Sequence, residues 1–272
     1  MRTRGAAMAG NKRLPSLTIE GKTLRWPIIQ GGMGIGISLS PLAGAVAREG
    51  GAGIVSSACL DRLVSKRTGR QYTTTEAVCE EISIAKSQGG IAGINIMVAL
   101  ARDYEASVKS AITAKADMII SGGGLPVMLP AIADPGDTAL IPIVSSPRAL
   151  ELICKKWERK GYRPDAVVLE GPLAGGHLGF RFEQIDLESN RLENLLGPVK
   201  EIAIKHGGFP VIVAGGIYTH EDIVRFIAMG ADGVQMGTRF LATEESSASQ
   251  DYKQAVVNAT KQDILVAQTP GS

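Results

Sequence analysis

Eight short apolar segments recur along the chain, and most are followed by a glycine-rich or polar turn and then a helical pattern. Their centres lie 23 to 44 residues apart, close to the ~30 residues of one strand–helix unit. Segments that are apolar on both faces are typical of strands in a parallel sheet covered by helices. The predicted strands are 27–30, 52–56, 91–98, 117–120, 140–144, 165–170, 210–214 and 234–236.

Eight such units predict an α/β fold, a TIM (β/α)8 barrel. The length of 272 residues suits one barrel domain, and an aromatic content of 4% suits an interior filled by aliphatic side chains. We expect residues 1–25 to form a partly disordered N-terminal extension and 26–272 to form the barrel domain. A doubly wound open sheet is the competing architecture. It is disfavoured because the first turn lacks the G-x-G-x-x-G spacing and the second strand ends in Ser56 and Ser57 rather than an acidic residue.

Local signals place the helix starts and the insertions. Ser-Pro pairs at 40–41 and 146–147 predict an N-cap followed by a first helical residue, and Thr219 is expected to cap the helix after the seventh strand. Two long gaps, 60–74 and 171–190, predict insertions. The second lies at the carboxyl end of the sixth strand, where barrel enzymes carry their catalytic loops.

Composition argues against several classes of function. A net charge of +2 is too small to create an electrostatic field that would attract nucleic acid. Cys59, Cys79 and Cys154 show neither metal-ligand nor disulfide spacing, so we expect no metal site and a reducing, cytoplasmic location. No apolar run reaches the ~18 residues of a membrane span, and the basic N-terminus lacks the apolar core of a secretory signal.

The stretch 209–240 carries the strongest binding signal. Gly215 and Gly216 follow the seventh strand, and Gly237 and Thr238 follow the eighth. Open turns at these two positions commonly form the phosphate site of a barrel. Together with a glycine-rich first turn and an amide, Asn95, in the third strand, they predict a phosphorylated planar cofactor.

Three histidines and one glutamate are the candidate reactive groups. His206 ends a helix and is interpreted as structural, and His220 lies in the first turn of the helix after the seventh strand. His177 lies among glycines in the loop after the sixth strand and is the candidate general base. Glu170 ends the sixth strand and could hold a ligand hydroxyl or orient the backbone. The amide of Asn95 could bind a ring edge or a neighbouring strand's carbonyl.

Five motifs, taken in order, resemble the nitronate monooxygenase family, formerly called 2-nitropropane dioxygenase. The same motifs are closely similar to those of the flavin-dependent enoyl-ACP reductase II. The resemblance covers most of the chain, from about Trp26 to Ser247. The motifs are PIIQGGM (27–33), GINIM (93–97), LAGGHLG (173–179), VAGGI (213–217) and QMGTRF (235–240).

The resemblance implies a barrel that binds FMN non-covalently and oxidises alkyl nitronates, and nitroalkanes, with O2 to carbonyl compounds and nitrite. It makes His177 the catalytic base. The segment Gln30, Gly31, Gly32 and Met33 would lie against the flavin, with Asn95 and Glu170 at its ring or ribityl chain and Gly175 and Gly176 packed on it. The phosphate would be held by Gly215, Gly216, Gln235, Met236, Gly237 and Thr238.

Two departures from the family pattern bear on substrate choice. Many relatives carry an acidic residue where this chain has Leu173, and relatives usually continue past the point where this chain stops, at Ser272. An NAD(P)H-dependent enoyl-ACP reductase and a non-catalytic barrel for a phosphorylated ligand stay open as alternatives. The sequence also leaves open the physiological substrate, a role for a monovalent cation, and whether the chain forms a homodimer.

Overall fold

A computed structural model describes residues 14–267 and shows a closed parallel barrel of eight strands, which confirms the predicted fold. The strands follow one another around the barrel in chain order, and the last pairs with the first. A two-stranded antiparallel hairpin precedes them: β1 (Leu17–Ile19) and β2 (Lys22–Leu24). The barrel strands are β3 (Ile28–Gln30), β4 (Ala52–Ser56), β5 (Ile91–Met97), β6 (Met118–Gly122), β7 (Ala139–Val144), β8 (Val167–Glu170), β9 (Val211–Ala214) and β10 (Gly233–Met236).

Helices surround the barrel, and in the described residues none is long and apolar enough to cross a membrane. The gap at 60–74, expected to be a loose insertion, contains a helix with Leu60 and Val64 buried. The helices are α1 (Ser40–Arg48), α2 (Leu60–Thr68), α3 (Thr74–Ser87), α4 (Ala101–Thr113), α5 (Pro147–Glu158), α6 (Leu192–Lys205), α7 (His220–Ala228), α8 (Thr238–Leu241) and α9 (Gln250–Asn258), with short 3-10 turns at Leu129–Ala131, Phe182–Gln184, Glu188–Asn190 and Lys261–Asp263.

Side chains alternate between the barrel interior and the layer beneath the helices. Along β8, Val168 joins the interior apolar cluster, whereas its neighbours Val167 and Leu169 join the outer one. Alternation with a period of two is what a strand imposes, and both sets are buried because helices cover the outside. The next inward position on β8 is therefore Glu170, at the carboxyl end of the barrel.

The hairpin packs against the interior cluster from the amino end of the barrel. Leu17, Ile19 and Leu24 are 1–3% exposed and belong to the interior cluster, and an added Cβ on Gly233 would lie 2.8 Å from Leu17. This hairpin was not predicted, because residues 1–25 were expected to be a partly disordered extension. Residues 1–13 of that extension lie outside the described part of the chain.

Three aspartates tie consecutive strands together at the amino end of the barrel. Asp117, Asp165 and Asp232 stand one or two residues before β6, β8 and β10. Each accepts a hydrogen bond through Oδ2 from a backbone N–H at the start of the preceding strand, which continues the ladder between the two strands. The donors are Ala92, Leu140 and Val211, at 2.9, 2.7 and 2.7 Å.

The start of α1 differs from the expectation for a Ser-Pro pair. Ser40 is already helical and its side chain caps nothing; Leu39 holds the N-cap position. The carboxylate of Glu81, which is fully buried on α3, accepts the Ser40 N–H at 2.7 Å and pairs with Arg67 at 2.6 Å. A buried carboxylate from another helix thus replaces the local cap. At Ser146 and Thr219 the predicted side-chain caps do form.

We expect Asp232→Ala to lower the free energy of unfolding by about 1–3 kcal/mol. The substitution leaves the buried N–H of Val211 without an acceptor and removes the ion pair that Lys200 makes with Asp232 at 2.7 Å. Urea denaturation followed by far-UV circular dichroism measures the change. Asp186→Ala is the matched control, since Asp186 is exposed; equal stability of the two variants would contradict the role given to Asp232.

Candidate functional site

Two polar side chains point into the carboxyl end of the barrel at the same level. Glu170 on β8 and Gln235 on β10 both pair in register with Ala214 on β9, the strand between them. The interior below is apolar, with Val168, Ile212 and Ala214 in the inner cluster. Closure of the sheet therefore brings a carboxyl and an amide together above an aliphatic floor, on either side of a small residue.

The amide of Gln235 has an unused acceptor. Its Oε1 is buried and receives no hydrogen bond from any described residue. The side chain lies against the first turn, since a Cβ added to Gly31 would lie 3.3 Å from Gln235 Cγ. A buried oxygen without a donor is unfavourable, so Gln235 is suited to accept a hydrogen bond from a ligand.

Glu170 is a half-buried carboxyl with no side-chain hydrogen bond or ion pair to a described residue. Burial raises its pKa from about 4.5 to about 7, because removal from water disfavours the charged form. Near neutral pH the group therefore exchanges between acid and carboxylate.

The turns after β9 and β10 present free backbone amides. The N–H groups of Gly215, Gly216, Gly237 and Thr238 donate to no backbone or side-chain acceptor within residues 14–267. Gly215 and Gly216 have φ of +99° and +72°, a conformation that glycine adopts without strain. Clustered free amides at adjacent strand ends form a site for an anion, so the geometry fits the phosphate-binding role predicted for these turns.

The first turn is held by residues that bond to one another. Gln30 donates through Nε2 to Ser38 Oγ at 2.9 Å and accepts the Ile54 N–H at 3.0 Å, while Ser38 Oγ accepts the Met33 N–H at 3.0 Å. The Gln30 side chain is thus occupied inside the protein, whereas the segment from Gln30 to Met33 as a whole was expected to lie against the flavin. Any ligand contact from this turn falls to the neighbouring glycines. Ser38 was missed, because a single serine in a loop gives no sequence signal.

Gly31 and Gly32 allow the first turn to approach its neighbours closely. A Cβ on Gly32 would lie 2.4 Å from Asn95 Cβ, so only glycine lets these segments meet. The Asn95 side chain is half-buried and makes no hydrogen bond to a described residue. The amide of Asn95 is therefore free to bind a ligand. It does not form the hydrogen bond to a neighbouring strand's carbonyl that was the alternative expectation.

Met33 and Met236 lie on different sides of the barrel wall. A Cβ on Gly237 would lie 3.4 Å from Met33 Sδ, which places Met33 beside the eighth turn. The Met236 side chain is buried in the outer layer and lines a cavity of about 630 Å3, together with Tyr218 and Arg239. Among the predicted site residues, Gln30 and Met236 therefore direct their side chains away from the barrel interior.

The loop after β8 packs on two neighbouring turns. A Cβ on Gly215 would lie 2.9 Å from the Ala174 nitrogen, and one on Gly216 would lie 2.8 Å from Leu173 Cδ1. Further along, a Cβ on Gly179 would lie 2.3 Å from Ser145 Oγ, just beyond β7. The segment between these contacts, which includes Gly175 and Gly176 in open space, therefore spans the rim from β7 to β9.

His177 lies in this spanning segment and is exposed, with no hydrogen bond to a described residue. It is open to a reactant arriving from solvent, but its ring is not oriented by any side chain of residues 14–267. The side chain of His206, in contrast, is 7% exposed and contacts the carboxylates of Glu151 and Glu158 on α5, which fits its structural interpretation. His220 is the exposed first residue of α7 and lines the same cavity as Met236.

The residues at the mouth fit a flavin nucleotide. A flavin ring offers N–H and C=O groups along its pyrimidine edge, which match the unused acceptor of Gln235 and the carboxyl of Glu170. A terminal phosphate matches the free amides after β9 and β10. Among the described residues no cluster of three or more histidine, cysteine, aspartate or glutamate side chains is placed to hold a metal ion.

Comparison with known proteins agrees with this geometry. The sequence matches the family model for nitronate monooxygenase over residues 16–271. The chain belongs to the nitronate monooxygenase family. A probable nitronate monooxygenase of Staphylococcus haemolyticus is 41% identical over 104 residues, which span 38% of this chain and 28% of that protein. The chain thus aligns with less than a third of the length of this curated relative.

Solved structures extend the similarity to most of the fold. A variant of FabK from Thermotoga maritima superposes with a TM-score of 0.70 at 29% identity, covering 90% of this chain and 72% of that one. A nitroalkane oxidase from Streptomyces ansochromogenes superposes with a TM-score of 0.66 at 26% identity, covering 85% of this chain and 70% of that one.

We expect Glu170→Gln to change how stability depends on pH. Because the folded pKa of about 7 lies above the unfolded value of about 4.5, the wild type releases a proton on unfolding between these pH values. A shift of one pKa unit corresponds to about 1.4 kcal/mol. The free energy of unfolding of the wild type, relative to that of the variant, should therefore fall by roughly 3 kcal/mol from pH 4.5 to 7 and should not change further above pH 7.

Urea denaturation at several pH values between 4 and 8.5 tests this expectation. Glu183→Gln, which removes an exposed carboxylate from the same loop, should follow the wild type. A difference between wild type and Glu170→Gln that does not vary with pH would show that Glu170 is not perturbed in the folded protein.

Proposed function

We propose that the protein is an FMN-dependent oxidoreductase that converts alkyl nitronates and O2 to carbonyl compounds and nitrite. The observation that carries the flavin part is the combination of four free amides after β9 and β10 with the unsatisfied acceptor of Gln235. Family membership supports the nitronate part. The AGGH segment is shared with the enoyl-ACP reductase alternative and does not distinguish the two.

In this proposal the barrel mouth holds the cofactor and the loop after β8 faces the reactant. Bound FMN supplies the electron chemistry that no protein side chain provides. Gly215, Gly216, Gly237 and Thr238 would bind its phosphate through backbone N–H groups. Gln235, Glu170 and Asn95 would meet the ring and the ribityl chain, which orients the flavin in the mouth. The aliphatic floor below them keeps water out of the barrel.

His177 is assigned the proton transfer. The imidazole is a base in the neutral pH range and would accept the proton that a nitroalkane must lose from its α-carbon to become a nitronate. A preformed nitronate has already lost that proton. The two substrates therefore separate the role of His177 as a base from a role in binding.

We expect His177→Asn to slow the reduction of bound FMN by a neutral nitroalkane by roughly 10²–10⁴-fold, and by its nitronate far less. Anaerobic stopped-flow absorbance of the flavin measures both rates. Equal, negligible losses with both substrates would remove His177 from the mechanism.

The same stopped-flow measurement distinguishes the alternative functions. Rapid reduction of the flavin by NADH or NADPH but not by a nitronate would favour the enoyl-ACP reductase. A protein that binds no FMN would favour the non-catalytic barrel.

We expect Gly215→Ala to weaken FMN binding about 10- to 100-fold. A side chain at φ +99° is strained by roughly 1–3 kcal/mol, and the new Cβ would meet Ala174 and Gly171 at about 3 Å. Quenching of FMN fluorescence gives the affinity. The matched control is Gly161→Ala, which has φ +78° but open space around the added carbon; the phosphate assignment fails if both variants bind FMN as the wild type does.

A further inference from the structure

The outer helical layer leaves part of the barrel wall uncovered beside the last strand. The helix that follows β10 is α8, which has four residues. The outward side chains of Ile28 on β3 and Met236 on β10 face the cavity of about 630 Å3, together with Ile223 on α7 and Phe240 on α8. Strands of a parallel barrel are normally covered by helices on the outside, so this apolar cavity marks a place where the layer is incomplete.

The face of α9 that borders this cavity is apolar and exposed. Tyr252, Val256 and Val257 stand at positions i, i+4 and i+5 of the helix, which places them on one side of it. Val256 and Val257 line the cavity, and Tyr252 and Val257 are 48% and 63% exposed. The cavity and this face of α9 therefore form one continuous apolar surface.

A short apolar segment follows α9. Ile264, Leu265 and Val266 are 73%, 85% and 47% exposed, and Leu265 is the most exposed large apolar side chain within residues 14–267. Ile264 has extended backbone angles, with φ −94° and ψ 117°. Residues 264–267 make no hydrogen bond to another described residue. Exposed apolar groups of this kind mark an interaction site, and an extended peptide is a common occupant of a groove.

The residues around the cavity indicate what can fill it. The side chain among them that is charged at every physiological pH is Arg239, whose guanidinium lies over the Tyr218 ring, 4.6 Å from the ring centre. His220 is the other titratable base, and both side chains are exposed. The walls are otherwise mainly aliphatic, which favours an uncharged apolar occupant. Residues 264–267 carry no charged side chain, so their chemistry matches that of the cavity.

Each chain carries both the cavity and the segment, so two copies can bury both features at once. The segment begins six residues after the end of α9, and six extended residues span at most roughly 20 Å, which keeps it close to the cavity. In a contact with two-fold symmetry the same surface is used twice, and the assembly closes at two chains.

We propose that this face is a dimer interface in which the segment Ile264–Val266 of each chain fills the cavity beside α9 of a second copy. The exchange covers the uncovered part of the barrel wall in both chains. The inference is independent of the proposed function, because it requires neither a flavin nor a nitronate.

Sedimentation velocity on the full chain, at about 1 to 100 µM, tests the assembly. We expect the wild type to form a dimer and Leu265→Asp or Val257→Asp to weaken the association by about 100-fold or more. Loss of one buried apolar side chain costs about 10-fold or more in affinity, and a two-fold dimer loses it twice. Ile204→Asp is the matched control, since Ile204 is 67% exposed on α6, and this variant should associate as the wild type does.

A cross-linking experiment tests whether the contact joins two chains. Leu265→Cys and Val257→Cys, prepared separately and then mixed under oxidising conditions, should form a covalent dimer that contains one of each, beyond the level seen with the wild type. Because a disulfide needs Cα atoms within about 7 Å, this product reports direct contact.

The double variant Leu265→Cys with Val257→Cys distinguishes exchange between chains from contact within one chain. A protein that is monomeric at every concentration, a dimer that neither aspartate variant weakens, an absence of the mixed cross-link, or a monomer with an internal disulfide in the double variant would each overturn the inference. A dimer with the expected properties that binds no FMN rejects only the proposed function.

Discussion

In a sheet that closes on itself, alternate side chains of every strand share one narrow interior, and the register between strands decides which of them meet. In this barrel the lower interior positions hold aliphatic residues such as Val168 and Ile212, which exclude water and leave polar side chains room only at the carboxyl end. Glu170 and Gln235 come from segments 65 residues apart in the sequence, yet both pair with Ala214. The candidate site is therefore a consequence of closure and register.

Different interactions hold the two ends of the barrel. At the amino end, Asp117, Asp165 and Asp232 extend the ladders between strands through their carboxylates, and the β1–β2 hairpin packs on the interior. At the carboxyl end, glycines let neighbouring turns approach to distances that a Cβ would prevent, as at Gly32 and Gly215. The stabilising contacts and the candidate site thus lie at opposite ends of the barrel axis, as is usual for this fold.

Parts of the fold and site could be read from the sequence because their signals are local. The barrel strands are largely apolar on both faces, and the positive φ at Gly215 and Gly216 calls for glycine. The hairpin was missed because its strands of three residues are too short for a periodic pattern, and α2 was missed because charged residues dominate it. The hydrogen bonds of the Gln30 side chain could not be predicted, because its partners, Ser38 and Ile54, are brought to it by folding.

The sequence by itself determined the eight-strand barrel, the two glycine turns after the last strands and the family. Strand burial, backbone freedom and motif order all depend on residues that lie close together in the sequence. Tertiary structure alone decided three features of residues 14–267: Gln235 has a buried oxygen without a donor there, Glu170 is half-buried without a partner there, and the rim loop leaves His177 exposed. The reason is physical. Desolvation and hydrogen-bond satisfaction depend on which distant segments surround a group, and a linear sequence does not contain that environment.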